Sequence, residues 1–211
     1  MVLLTELSVL VAGYLLGSIP CGWLAGHWLA GVDMRQEGSG STGATNVLRV
    51  LGKGPALVVF VLDVFKGTAA VLLAKTLLQP QGFSLASDWL VVAAGVAALA
   101  GHIWPVWLGW KGGKAVATGL GMLLGLAWPV GLACLGIFLI VLSVSRIVSL
   151  SSVVAALALP LLMLASFGAG GLRPAYLSLA LLTTVLVVWR HRSNLQRLRA
   201  GTEPRLGAKR S

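Results

Sequence analysis

The sequence predicts an all-α integral membrane protein with about seven transmembrane helices, some of them short. Three observations carry that prediction. The chain has 211 residues, 57% hydrophobic and 10% charged, with a mean hydropathy of +0.92. A soluble domain has no means of covering so much apolar surface. The apolar residues also fall in runs of roughly 20, the length that crosses a hydrocarbon core of about 30 Å. Finally, the formal charge of +10 gathers in alternate connections, as the positive-inside rule requires, so a nucleic-acid partner is not expected. The chain reads as a single domain over 1–211, with 190–211 as a basic cytoplasmic tail.

Seven spans are marked, at 3–29, 54–78, 89–108, 115–127, 129–143, 149–167 and 174–189. The opening "MVLLTELSVL" lacks a basic leader and reads as an uncleaved first span. The fourth span reaches only about 20 Å at 1.5 Å per residue. The fourth and fifth read as two short spans, with a re-entrant pair or one helix kinked at Trp128-Pro129 as the alternatives, which would bring the tally to five or six. Cys21 and Cys134 both lie in apolar segments, so no disulfide and no metal cluster is expected.

Orientation follows from the basic residues. With the N-terminus outside, the inner connections hold Arg35, Arg49, Lys53, Lys111, Lys114 and Arg146, and the tail holds seven more Lys/Arg. The outer connections hold Lys75 and Arg173, with Asp88. That bias sets the N-terminus outside and the C-terminus in the cytoplasm. Trp28, Trp89, Trp104, Trp107, Trp110, Trp128 and Trp189 cluster near span ends, as interfacial anchors do. Every loop rich in glycine and basic side chains then lies on the cytoplasmic face.

Four of those polar segments and one buried pair carry candidate chemistry. In "GSGSTGATN", residues 38–46, glycines such as Gly38 and Gly40 permit positive φ and close backbone approach to a ligand. Successive N–H groups there can form an anion nest. Ser39, Ser41, Thr42, Thr45 and Asn46 add neutral donors, and Arg49 and Lys53 follow. This suits a phosphate; a flexible hairpin is the alternative. The match to G-x-G-x-x-G is set aside, because no strand precedes it and no βαβ unit surrounds it. In "WKGGKAVATG", Lys111 and Lys114 flank Gly112-Gly113 at a helix start, a second place for an anion or a plain basic turn.

In "SRIVSLSS", Arg146 lies near a helix start and Ser149 is placed to cap the sixth span. In "RHRSNLQRLRAGTEPRLG", His191 and Asn194 share a face if the seventh helix continues. Histidine suits proton transfer near neutral pH, while the arginines suit anionic headgroups. Asp63 and Lys66, three apart in an apolar helix, can pair. Such a pair marks function or braces a cytoplasmic loop.

Taken in order, "LLGSIPCG", "GSGSTGATNVLR", "LDVFKG", "GHIWPVWLGWKGGKAVATG", "SRIVSLSS" and "HRSNLQRLRAGTEPRLG" resemble one family, the bacterial membrane acyl-phosphate:glycerol-3-phosphate acyltransferases (PlsY type). The resemblance runs from about residue 15 to 207. It implies transfer of a fatty acyl group from acyl phosphate to the sn-1 hydroxyl of glycerol 3-phosphate. The products would be lysophosphatidic acid and phosphate, the first step of phospholipid biosynthesis. It implies a multi-pass protein of the bacterial cytoplasmic (inner) membrane, with no cofactor, no metal and no obligate protein partner. The His-x4-Asp pair of soluble-type glycerolipid acyltransferases does not occur, because Val32, Trp107 and Gln196 stand five residues after the three histidines.

By the same resemblance Ser39, Lys114 and His191 carry catalysis. Gly38, Gly40, Asn46, Arg49, Gly112, Gly113, Arg146, Ser149 and Asn194 hold substrate and phosphate. Ser39 would bind phosphate or hydroxyl without acting as nucleophile, and His191 would be a general base or orient the attacking hydroxyl. Two departures stand out: Ser41-Thr42, where relatives often have Asn and an apolar residue or proline, and Ala115, where relatives usually have glycine. Ala115 is expected to stiffen the lysine loop. The rival readings are a transporter of organic phosphate, disfavoured because the polar groups gather at one face and not at mid-membrane, and a lipid-binding scaffold.

Overall fold

The computed structural model describes residues 2–78, 84–167 and 172–207; Lys209 and Arg210 of the basic tail lie outside them. The described residues form α1 (Val2–Ser18), α2 (Cys21–Ala30), α3 (Ala44–Val50), α4 (Lys53–Leu78), α5 (Leu85–Ile103), α6 (Val116–Ser145), α7 (Val148–Ser166), α8 (Pro174–Arg190) and α9 (Arg192–Arg199). Five segments among them are long and apolar enough to cross a membrane: Leu3–Ala30, Lys53–Leu78, Leu85–Leu108, Val116–Ser145 and Val148–Ser166. Pro174–Arg190 is a shorter apolar helix.

The differences from the expected spans have local causes. The first span breaks between α1 and α2, because Pro20 has no N–H and disfavours helix at Ile19. The third begins at Leu85, ahead of the expected 89. Ser84 caps it by accepting from the Ser87 N–H at 3.1 Å, while the Ser87 hydroxyl accepts from the Ser84 N–H at 3.0 Å, a capping box. The fourth and fifth are one helical run, α6, broken at Ala127 (φ −145°, ψ 78°). Pro129 offers Gly125 O no donor there. Lys75 Nζ supplies one, donating to Gly125 O at 2.7 Å and to Leu126 O at 3.0 Å.

The helices group into two compact units, Met1–Leu126 and Ala127–Ser211. In the first, helices meet through glycine. A Cβ on Gly17 of α1 would stand 2.0 Å from Ala98 O of α5, and one on Gly121 of α6 would stand 1.8 Å from Val64 O of α4. Lipid is as apolar as leucine, so membrane helices associate by close backbone packing and not by burying large side chains. Many of this unit's large side chains face outward, among them Leu4, Val58 and Phe65, while Leu99, Ile103 and Met122 are buried. In the second unit α7 packs on α8 around Leu159, Met163 and Leu179, and Thr184 Oγ1 donates to Ala156 O at 2.6 Å.

Candidate functional site

The first unit positions two polar loops. The first, 31–43, leaves α2 through Gly31 (φ 66°), whose N–H bonds His27 O while the Val32 N–H bonds Gly26 O; this is a left-handed helix stop. Met34, fully buried, anchors the loop in a cluster with Cys21, Val47, Ala56 and Val59. Asn46, the third residue of α3 and 1% exposed, then shapes it. Its Oδ1 accepts from the Ser39 N–H at 2.7 Å and the Ser39 hydroxyl at 3.1 Å, and its Nδ2 donates to Met34 O at 3.0 Å and Glu37 O at 2.9 Å. Gly38 (φ 57°) is demanded twice, by its backbone and because a Cβ would collide with Asn46 Oδ1. Gly40 (φ 69°) also lies in the left-handed region.

Three N–H groups of this loop are engaged within it: those of Ser39, Gly40 and Gly43 bond Asn46 Oδ1, Glu37 O and Ser41 Oγ, respectively, and hold its shape. The loop presents the exposed Ser39 side chain, with Arg49 half-buried in the last turn of α3.

The second loop follows a 3-10 turn, Val106–Leu108. It folds back on the end of α5: the Gly112 N–H bonds Ile103 O at 3.1 Å and the Gly113 N–H bonds His102 O at 3.0 Å, carbonyls the helix leaves without partners. So this Gly-Gly pair also spends its donors internally. Its glycines are required for space. A Cβ on Gly112 would sit 2.2 Å from His102 O, and one on Gly113 would sit 2.1 Å from His102 Nε2. Lys114, half-buried, and the first turn of α6 remain as the cationic end of this loop. Ala115 takes φ 60°, a conformation that costs a side-chain-bearing residue about 1–2 kcal/mol.

Arg35 ties the two loops together. Its Nε donates to Asp33 Oδ1 at 2.9 Å and its Nη1 donates to Leu108 O at 3.0 Å. The hydrogen-bonded guanidinium holds the Asp33 carboxyl down at about 2. Beneath the loops, Lys66 Nζ stands 2.8 Å from Asp63 Oδ1, and His102 Nδ1 stands 3.6 Å from the same oxygen. Beside them, an open apolar groove of about 590 Å3 runs between α1, α2 and α4, lined by Leu24, Trp28, Val58, Leu62, Phe65 and Lys66.

The second unit holds the remaining predicted residues. Arg146 (φ 58°) is an exposed junction between α6 and α7, and its carbonyl accepts from the Leu206 N–H at 2.7 Å. Ser149 does not cap α7; Ile147 holds that position, with no side-chain cap. The Ser149 hydroxyl donates instead to Glu203 Oε1 at 2.7 Å. Asn194 Nδ2 donates to the same oxygen at 2.6 Å, and Arg197 Nε donates to Glu203 Oε2 at 2.7 Å. Burial of Glu203 opposes its charge, and those donors outweigh burial, holding the carboxyl below its ordinary range.

His191 is the joint between α8 and α9 (φ −96°, ψ 8°), so the seventh helix does not continue unbroken from His191 to Asn194, the condition on which the two would share a face. The ring is 3% exposed and its Nδ1 lies 2.8 Å from Val187 O. A carbonyl only accepts, so the hydrogen bond assigns the proton to Nδ1 and makes Nε2 the basic nitrogen of neutral imidazole.

The family model described as glycerol-3-phosphate acyltransferase matches residues 7–201. The chain belongs to that family. A glycerol-3-phosphate acyltransferase of Prochlorococcus marinus (strain MIT 9313) is 69% identical over 96% of this chain and 95% of its own length. One from Synechococcus sp. (strain CC9902) is 67% identical over 98% of each. Among solved structures, the glycerol 3-phosphate form of PlsY (YgiH), an integral membrane glycerol 3-phosphate acyltransferase, is 37% identical with a TM-score of 0.86 over 96% of both chains. Its lysophosphatidic acid form gives a TM-score of 0.83 over 96% of this chain and 95% of that one.

In this acyltransferase-family chain, sequence reasoning missed Arg35, His102 and Glu203. Glu203 carried a signal: it is one of six acidic residues in the chain and stands alone in a strongly basic tail. His102 was visible as a histidine at the end of an apolar span, but its part depends on Asp63, 39 positions away in sequence. Among the described residues no group of three His, Cys, Asp or Glu side chains is placed to hold a metal ion.

Proposed function

We propose that the chain transfers a fatty acyl group from acyl phosphate to the sn-1 hydroxyl of glycerol 3-phosphate, giving lysophosphatidic acid and phosphate, the first step of phospholipid biosynthesis. The observation that carries this reading is the likeness, at TM-scores of 0.86 and 0.83, to an acyltransferase solved in its glycerol 3-phosphate and lysophosphatidic acid forms. The charge bias supports an N-terminus outside and a C-terminus in the cytoplasm of a bacterial inner membrane.

Acyl phosphate is a mixed anhydride with a good leaving group, so positioning and charge management are the larger demands. Lys114, Arg49 and Arg146 offset the charge of the phosphates, and the Ser39 side chain binds phosphate or hydroxyl. Gly38, Gly40, Gly112, Gly113 and Asn46 hold the loops that present them, while Ser149 and Asn194 serve through Glu203. The apolar groove beside α4 suits the acyl chain. The glycerol hydroxyl attacks the acyl carbon directly; the C–O bond to phosphate breaks as the new ester forms. The His191 Nε2 accepts the hydroxyl proton or orients the hydroxyl while the departing phosphate takes it.

The test supplies purified protein with labelled glycerol 3-phosphate and, in parallel, palmitoyl phosphate, palmitoyl-CoA or acylated acyl carrier protein. Lysophosphatidic acid and phosphate should form one for one with palmitoyl phosphate alone. Product from the thioesters only would overturn the donor assignment, and an acyl-enzyme trapped on Ser39 would overturn direct attack.

A further inference from the structure

Three ionisable side chains lie where the chemistry above does not use them. Asp63 and Lys66 in α4 and His102 in α5 are 1%, 4% and 6% exposed, in helices that are otherwise apolar. Ionisable groups at such depth are costly and mark function more often than not. They border a cavity of about 10 Å3 with Ser18, Thr42 and Pro105. That space fits about one water molecule and excludes glycerol phosphate, so any effect on the substrate must pass through the protein.

Two routes lead outward from this cluster, one to each loop. Lys66 Nζ donates to Ile19 O at 3.1 Å, pinning the break between α1 and α2. One residue into α2, Gly22 is packed so tightly under the first loop that a Cβ would stand 1.9 Å from Thr42 O. On the other side, the carbonyl of His102 receives the Gly113 N–H, and its ring fills the space a Gly113 side chain would need. Asp63 lies between, against both Lys66 and the His102 ring. A change in the Asp63 carboxylate therefore reaches Gly113 and, one residue on, Lys114.

We propose that Asp63, Lys66 and His102 form a buried positioning network that sets the Gly112–Lys114 loop against the first loop and so tunes capture of the phosphate-bearing acceptor. The proposal rests on the reaction proposed above. Side chains that hold a ligand are only as well placed as the groups behind them, and misplacement by about 1 Å can cost about 100-fold. Of the three side chains only Lys66 lines the acyl donor groove, so the effect of Asp63 and His102 falls first on the loops.

The experiment compares wild type with D63N, H102Q, the charge-neutral double D63N/K66M, G113A and D63N/G113A, each purified in detergent. Three quantities are read: KM for glycerol 3-phosphate, KM for palmitoyl phosphate and Tm. Hydrogen exchange at the 109–115 amides is followed without substrate. D63N and H102Q should raise the acceptor KM by at least about tenfold with the donor KM within about twofold. D63N/K66M should recover Tm yet keep the raised acceptor KM. D63N/G113A should be no worse than the weaker single variant, as expected of residues acting on one element. The Gly112 and Gly113 amides should exchange faster in D63N.

Equal rises in both KM values, multiplying effects in D63N/G113A, or unchanged loop exchange would overturn the network's positioning role. Failure of D63N, H102Q and the double to fold would do so too, assigning the cluster to fold maintenance alone. A wild type inactive with both substrates, yet with loop exchange that responds to D63N, would sink the proposed reaction and leave the network standing.

Discussion

The two helical units secure their polar residues in opposite ways. In Met1–Leu126 the bracing is spread out: Asn46 gathers the first loop with four hydrogen bonds, Arg35 straps it to Leu108 O, and the Gly112-Gly113 turn pairs with α5. In Ala127–Ser211 one carboxylate, Glu203, collects Ser149, Asn194 and Arg197. Distributed bracing yields by degrees when one part is removed, whereas a single hub fails at once. The proposed chemistry adds a second contrast: the first unit presents the phosphate-binding lysine, and the second presents the basic nitrogen. Variants in the first unit should therefore appear mainly in KM, and those in the second mainly in kcat or stability.

The largest expected effect is His191→Ala, which should lower kcat by about 10²–10⁴-fold, the usual cost of losing a general base. A variant with unchanged turnover would remove the base assignment and break the division between units. Next is Glu203→Ala. It leaves two buried donors, Ser149 and Asn194, and Arg197 without their acceptor. With Arg197 39% exposed the pair itself counts for little, so the loss is about 2–3 kcal/mol, mostly from the unpaired donors. Tm and limited proteolysis of the tail read it. The same hub makes the tail sensitive to acid. The carboxyl of Glu203 is depressed in the folded state, so its stabilisation is complete above the ordinary glutamate value of about 4.3. It is lost as pH falls through the lower folded value, and tail protection should fall over that window.

Gly113→Ala should act more narrowly. Its Cβ would collide with the His102 ring, displacing Lys114 and raising the acceptor KM by about tenfold with little change in kcat. A fall in kcat alone would contradict the contrast between units. The smallest effect is Ala115→Gly. Relief of the left-handed alanine, about 1–2 kcal/mol, is offset by the greater freedom of glycine in the unfolded chain, about 0.5–1 kcal/mol. A gain in stability of about 0–1.5 kcal/mol in thermal unfolding is expected, with a more mobile loop.

Much of this was legible before any coordinates. Continuous apolar runs announce membrane helices because hydrocarbon permits little else, and Trp128-Pro129 marked the kink in α6, whereas the first span read as continuous over 3–29 and its break at Pro20 emerged only in the structure. The residue types at Ser39, Lys114 and His191 pointed to phosphate and proton handling. What each motif residue does was less legible. Gly112 and Gly113 read as an anion turn, and the fold adds a reason for their size, because His102 stands against them. Asn46 and Ser149 read as ligands, and the fold adds that both also hold other parts of the chain.

The sequence by itself determined that this chain is helical and that it belongs in a membrane, because hydropathy, proline and charge act locally along the chain. Only the tertiary structure decided which polar atoms are already engaged. Asp63 meets His102, and Glu203 meets Ser149, through folding that brings together residues 39 and 54 positions apart. Hydrogen bonding and close packing depend on distances in space, which spacing along the chain does not encode.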